Sequence, residues 1–297
     1  MTMTIRIAII GPGKIARDAH LPAIASHGGF TLVATAGGPE GVDSVPHYAD
    51  LAALRAAGVE VDAVAICTPP GPRVAIALEA WAAGLDVLLE KPPAADMVGA
   101  RRLVPPPGCV GYAAWHSRHA AAVAAARDVL AARGAQRVTI HWLEDVERWH
   151  PGQDWVWRAD GFGVIDAGIN ALSILTLVWP GDWRVSRSVP TVPAGCDAPE
   201  RVEALLGCGG VTADVTFDWH AVDDRWDIAF ELADGGFLQL HEGGARLQVD
   251  GADVPVPAAR EYDGVYADFA RAIAARESRI DVQPLALALA LLAGDDG

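Results

Sequence analysis

The sequence predicts an α/β chain in two parts: a parallel sheet wound with helices, then an α/β region with a large open, mostly antiparallel sheet. Three observations predict it. Short apolar runs alternate with helical stretches over the first third. After Pro199 the rhythm changes to successive β runs separated by tight turns. Apolar residues make up 52% of the 297, enough for two cores and incompatible with disorder.

Residues 5–10, rich in isoleucine, read as a buried strand that stops at Gly11-Pro12-Gly13. Helix formers follow, so Gly11, Gly13 and Ala16 form the G-x-G-x-x-A dinucleotide fingerprint at a strand-to-helix switch. Gly11 permits the tight turn, Gly13 lets a pyrophosphate approach the backbone, and Ala16 lets the helix lie close to the strand. The plain alternative is an ordinary tight βα turn. Residues 30–35 and 61–67 are the next strands, the latter stopping at Thr68-Pro69-Pro70. A helix over 73–83 ends near Gly84, and strand 85–89 runs into Glu90-Lys91-Pro92-Pro93. A proline-rich break at 104–109 precedes strand 110–114. The boundary falls near Trp115-His116, giving domains 1–116 and 117–297.

In the second domain, 120–133 reads as a helix, 137–143 as a strand and 163–179 as a long apolar helix. The β runs are 202–206, 211–219, 226–232, 237–241 and 246–249, with turns at Asp234-Gly235-Gly236, Glu242-Gly243-Gly244 and Asp250-Gly251. Helices 265–276 and 285–293 close the chain and are expected to pack back on the first domain. The chain reads as short after Pro284, as if the final helix were trimmed.

The formal charge of −15 argues against nucleic acid or an anionic membrane as partner and suits a neutral small substrate. A strand begins almost at once, so no secretory signal is expected. No apolar run approaches the ~20 residues that span a bilayer. Cys67, Cys109, Cys196 and Cys208 show neither C-x-x-C pairing nor metal-like spacing with histidine. They read as reduced thiols of a cytoplasmic protein with no metal site.

A dinucleotide site lies at the carboxyl ends of parallel strands. Three features converge there: the glycine loop, the rigid Thr68-Pro69-Pro70 loop and Glu90-Lys91-Pro92. Lys91 at a strand end would project into the crevice, and the X-Pro bond at this corner is a candidate cis bond. The candidate cofactor residues are Gly11, Pro12, Gly13, Lys14, Ile15, Gly37, Gly38, Cys67, Thr68, Pro69, Pro70, Arg73, Glu90, Lys91 and Pro92. After the second strand the chain reads Ala36-Gly-Gly-Pro-Glu40, with no Arg or Lys close by to meet a 2′-phosphate. No acid stands at the strand end either, unless Glu40 reaches back. The balance leans to NAD, although the Gly37 and Gly38 amides could still tolerate a phosphate.

Asp166 and Asn170 stand four residues apart on the apolar helix and share a face. Polar groups there find partners or line a cavity. Asp166 alone is also explained as a complement to the positive helix start. Four tryptophans fall within 142–157. Flat rings beside Glu144 and His150 are how proteins hold sugars, with Trp149 in the same group. The alternative is a core cluster with surface charges, Asp145 and Glu147 being solvated.

Glu90-Lys91-Pro92 and Gly161-Phe-Gly-Val-Ile-Asp166-Ala-Gly-Ile-Asn170 resemble the lysine and helix motifs of the glucose-fructose oxidoreductase / inositol dehydrogenase family. Residues 13–24, Trp115-His-Ser-Arg118, 144–153 and 168–174 are similar, within it, to the bacterial L-arabinose / D-galactose 1-dehydrogenases. The resemblance covers nearly the whole chain. It implies a Rossmann domain followed by an α/β domain with an open sheet, and oxidation of an aldose to its lactone with NAD(P). Carried over residue by residue, it implies a sugar site of Lys91, His116, Glu144, Trp149, His150, Asp166 and Asn170, with Trp226 facing it from the sheet. Where the family helix usually carries histidine this chain has Asn170, which cannot take a proton. Asp166 is then the candidate base. Lys91 stabilises the developing alkoxide and is the alternative proton acceptor. Asn170, Glu144 and His116 would orient hydroxyls. Another sugar or diol oxidoreductase of the same family, reducing a keto-sugar or oxidising a trans-dihydrodiol, and a cofactor-binding sensor without turnover are the competing readings. The open sheet predicts a homo-oligomer, in the simplest case a dimer.

Overall fold

The computed structural model describes residues 4–294, so the outermost residues of the two expected domains, 1–3 and 295–297, lie outside the described residues. The chain divides into two compact units, Met1–Trp115 with Tyr262–Val282, and His116–Glu261 with Gln283–Gly297.

The first unit carries β1 (Ile5–Ile10), β2 (Phe30–Ala36), β3 (His47–Tyr48), β4 (Ala63–Ile66), β5 (Asp86–Glu90) and β6 (Gly111–Ala114), in the order β3-β2-β1-β4-β5-β6. Every pair is parallel. Helices on the sheet faces explain why β4 and residues 87–89 of β5 are apolar and buried without alternation. The strand order reverses between β1 and β4, and the carboxyl ends of those two strands are where such a sheet opens a crevice. The helix Glu261–Ala275 supplies Val265, Tyr266, Phe269 and Ala272 to the core, beside Ile7, Ile9, Ala65 and Leu88. Helix Leu51–Ala56 is capped by Asp50, whose carboxylate accepts the Ala53 N–H at 2.7 Å.

The second unit is built on β7 (Ala135–Asp145), β8 (Arg184–Thr191), β9 (Arg201–Cys208), β10 (Val211–Asp218), β11 (His220–Leu232), β12 (Phe237–His241), β13 (Arg246–Val249) and β14 (Ala252–Val254). Their order is β14-β13-β12-β11-β7-β10-β9-β8. The β runs after Pro199 do not form one uninterrupted meander. β7 is inserted between β11 and β10, antiparallel to the first and parallel to the second. On β7 the side chains of Val138, Ile140, Trp142 and Glu144 are buried, and those between them are exposed or half-buried. Helices Val123–Arg133, Ile165–Val178 and Gln283–Ala293 pack beside or on this sheet. Gly168 makes the close approach possible: a Cβ there would stand 2.4 Å from the Phe217 ring on β10. The opposite face is polar, with Arg137 paired to Asp214 at 2.7 Å and His241 to Asp227 at 3.0 Å. β8 escaped the sequence reading because it is an edge strand with exposed polar residues and Pro190. Among the described residues no helix is long and apolar enough to cross a membrane, and no group of His, Cys, Asp and Glu is arranged to hold a metal.

Candidate functional site

In the first unit β1 delivers its chain into Gly11, whose φ of +84° a side chain would strain. A Cβ at Gly11 would also meet the Thr68 nitrogen and methyl at 2.9 Å, so the glycine loop lies directly against the loop after β4. Gly13 differs: nothing stands within 4 Å of the position a Cβ would take. A cavity of about 380 Å³ opens there, lined by residues 11–14 with Arg17, residues 38–40 and residues 67–69. The Thr68 hydroxyl is buried against it with no hydrogen-bond partner among the described residues. A loop of backbone amides, an open approach at Gly13 and an unmet hydroxyl fit a dinucleotide diphosphate.

Of the candidate cofactor residues, Gly11, Pro12, Gly13, Lys14, Gly38, Cys67, Thr68 and Pro69 line this cavity; Ile15, Gly37, Pro70, Arg73, Glu90, Lys91 and Pro92 do not. Two of these face other partners. Arg73 is buried, and its guanidinium donates to the carbonyls of Thr68 (2.7 Å), Glu90 (2.9 Å) and Pro92. It ties the two loops together. Glu90 turns into the interior at 2% exposure. Its Oε1 accepts from Tyr262 Oη at 2.7 Å and pairs with His20 Nε2 at 2.9 Å, while its Oε2 accepts the Lys91 N–H at 3.1 Å. His20 Nδ1 in turn meets Tyr266 Oη at 2.9 Å. Burial pushes His20 down, but Cys67, Tyr266 and Glu90 outweigh it and hold the imidazole well above its ordinary range. The Lys91–Pro92 bond is cis, and Lys91 is half-buried above this network.

The cavity also bears on the charge near β2. The chain after the strand carries no cation over residues 36–40. The cavity brings one from elsewhere: Arg17, one turn beyond Gly13, donates to the Gly41 carbonyl at 2.6 Å. The signal was present as spacing, since the Arg17 N–H donates to Gly13 O across one helical turn. His20, Tyr262 and Tyr266 were missed because their roles depend on packing between segments more than two hundred residues apart.

The second unit gathers the aromatic candidates. Glu144, 4% exposed, accepts the Trp219 indole N–H at 3.2 Å on Oε1 and the Trp226 indole N–H at 3.1 Å on Oε2. His150 Nε2 lies 3.7 Å from Glu144 Oε1. Trp149 meets Trp226 edge to face at 5.2 Å, and its indole N–H donates to Asp224 at 3.1 Å. Trp226 lies opposite Trp142 across the β7–β11 register, which puts both on the helix-covered face. Glu144 therefore anchors two indoles. Asp166 is 8% exposed and Asn170 half-buried, one turn apart on helix Ile165–Val178. His116 pairs through Nδ1 with Glu261. A second hollow of about 550 Å³ is lined by Asp145, Glu147, Trp157, Glu200, Trp219 and His220, among others, and by none of the expected sugar residues.

The fold and the glycine-loop cavity define a two-unit protein with the architecture of a dinucleotide-dependent oxidoreductase. Residues 5–105 match the model of the oxidoreductase family, NAD-binding Rossmann fold. A galactose 1-dehydrogenase of Pseudomonas fluorescens is 41% identical over 293 residues, spanning 95% of this chain and 93% of that protein. The crystal structure of a D-galactose 1-dehydrogenase from Rhizobium etli superposes with a TM-score of 0.92 at 40% identity, over 99% of this chain and 95% of that one. The fold is shared more widely. A dehydrogenase from Bordetella pertussis, solved with NADH and UDP-GlcNAcA, gives a TM-score of 0.81 at 19% identity, over 98% of this chain and 95% of that one. The chain belongs to the GFO_IDH_MocA oxidoreductase family.

Proposed function

We propose that this protein is an aldose 1-dehydrogenase that oxidises the anomeric carbon of D-galactose or L-arabinose to the aldonolactone, with NAD(P) as hydride acceptor. The observation that carries this reading is the grouping of Trp226, Trp149 and His150 around the buried Glu144 carboxylate, in a chain so similar to galactose 1-dehydrogenases. Flat indoles receive the C–H face of a pyranose, and polar tips among them bind hydroxyls.

The nicotinamide, when bound, supplies the hydride acceptor at C4 of its ring. The chain's own groups then have distinct tasks. Asp166 takes the proton of the anomeric hydroxyl. Lys91, as an ammonium, stabilises the alkoxide that develops; two unit charges about 4 Å apart at an effective dielectric of 20 interact by roughly 4 kcal/mol. Asn170 and His116 orient hydroxyls, while Trp149 and Trp226 hold the ring in a reactive pose. Glu144 keeps the Trp226 indole in its rotamer. Two copies associate through the open sheet, whose outer face is polar, so the contact is made by hydrogen bonds and charge pairs.

The test is initial-rate kinetics over a panel of aldoses with both nucleotides. Turnover of D-galactose or L-arabinose with lactone release is expected. Lys91→Ala and Asp166→Ala each lower kcat by about 10²–10⁴, with the Kd for NADH little changed. Near-normal turnover in both variants, or no aldose turned over by the wild type, overturns the assignment.

A further inference from the structure

We propose that Arg17 reads the 2′ position of the adenosine ribose, so that the cavity accepts the 2′-phosphate of NADP through a cation delivered by the glycine-loop helix. The inference rests on the reading of the 380 Å³ cavity as the dinucleotide site. Discrimination in such sheets falls at the end of the second strand, where an acid selects the ribose diol and a basic group the phosphate. Residues 36–40 supply no cation. Arg17 fills that place in space: it lines the cavity with Gly38 and Glu40, and its guanidinium reaches the Gly41 carbonyl at 2.6 Å. That bond uses one of five N–H donors and holds the planar group against the β2 loop, and a phosphate takes two parallel donors from such a fork. The cavity's other cation, Lys14, is exposed and paired to Asp18 at 2.5 Å on its own helix turn. Gly38 leaves the approach open, with nothing within 4 Å of its would-be Cβ.

Glu40 lines the same cavity. Its carboxylate suits a ribose diol and repels a phosphate dianion. Groups of opposite preference thus share one pocket, and the expected behaviour is use of both nucleotides, with Kd values within about tenfold of each other.

The experiment is calorimetric titration of the wild type, Arg17→Gln and Arg17→Lys with NADPH, NADH, 2′,5′-ADP and 5′-AMP. Arg17→Gln is expected to weaken NADPH and 2′,5′-ADP by about 10–100-fold, the range for a lost charge-assisted hydrogen bond. NADH and 5′-AMP stay within about threefold. Arg17→Lys, which keeps the charge without the fork, falls between and guards against a loop that Gln disturbs. Equal weakening of phosphorylated and unphosphorylated ligands in both variants overturns the proposal, as does a wild type that binds NADH but not NADPH. A wild type that binds none of the four overturns the dinucleotide reading itself.

Discussion

The nucleotide end of the first unit and the aromatic cluster of the second are built from different materials. The first is made of backbone: Gly11 packed against the Thr68 nitrogen, Gly13 open, and three carbonyls gathered by Arg73. The second is made of side chains, with one carboxylate, Glu144, serving two indoles. The difference teaches where specificity resides. A backbone cradle recognises what all nicotinamide dinucleotides share, the diphosphate, and tolerates little change in its glycines. A side-chain cluster sets the shape of a pocket and can be retuned residue by residue, provided its buried polar centre stays satisfied.

The largest effect expected from this contrast is on stability in the second unit. Glu144→Gln places an amide N–H₂ where a carboxylate oxygen had accepted an indole N–H. Trp219 is fully buried, so its N–H has no water to turn to. An unsatisfied buried donor costs about 1–3 kcal/mol, and urea unfolding of Glu144→Gln should show a loss of about 2–3 kcal/mol with unchanged affinity for NADH. Unchanged stability with lost sugar turnover would mean that Glu144 faces substrate after all, and the contrast would fail.

A smaller effect separates two glycines of the cradle. Gly11→Ala adds a methyl 2.9 Å from the Thr68 backbone at a φ of +84°, and about 1–3 kcal/mol of stability should be lost. Gly13→Ala adds a methyl to open space. Its stability should stay within about 0.5–1 kcal/mol, while the Kd for NADH rises by about tenfold as the methyl meets the diphosphate. Thermal unfolding and fluorescence titration on both variants read the two quantities. Loss of affinity without loss of stability at Gly11, or the reverse at Gly13, would exchange their roles.

The same contrast explains what the sequence disclosed. The glycine spacing, Lys91 at a strand end and the Asp166–Asn170 pair were legible because each follows from local geometry, a turn or one helix face. The aromatic cluster was legible as composition, but the choice of Glu144 as its centre depends on the β7–β11 register that sets Trp226 opposite Trp142. The parallel placement of β7 beside β10 was hidden because no local pattern distinguishes a strand inserted into a sheet from one that follows in order. The partners of Arg73, Glu90, His20 and Arg17 were hidden for one reason. A long polar side chain can act far from its own strand or turn, and only tertiary packing decides the direction.

The smallest effect concerns pH, and it tests whether the two polar centres differ in kind. An indole N–H does not titrate, so the bonds from Trp219 and Trp226 to Glu144 survive as pH rises. His20 does titrate, and its folded value is held well above the ordinary 6.5. A group raised on folding binds more protons in the native state than in the unfolded chain. Its contribution is complete below about 6.5 and is lost as pH rises through the folded value. The urea midpoint should therefore fall as pH is raised above neutrality, and His20→Gln, with a lower midpoint at pH 6, should flatten that slope. A wild-type midpoint that is level or rises over this range would show that His20 is neutral in the native protein. The network beneath Lys91 would then consist of neutral donors around the Glu90 carboxylate, as the indoles stand around Glu144 in the second unit, and the two centres would be alike.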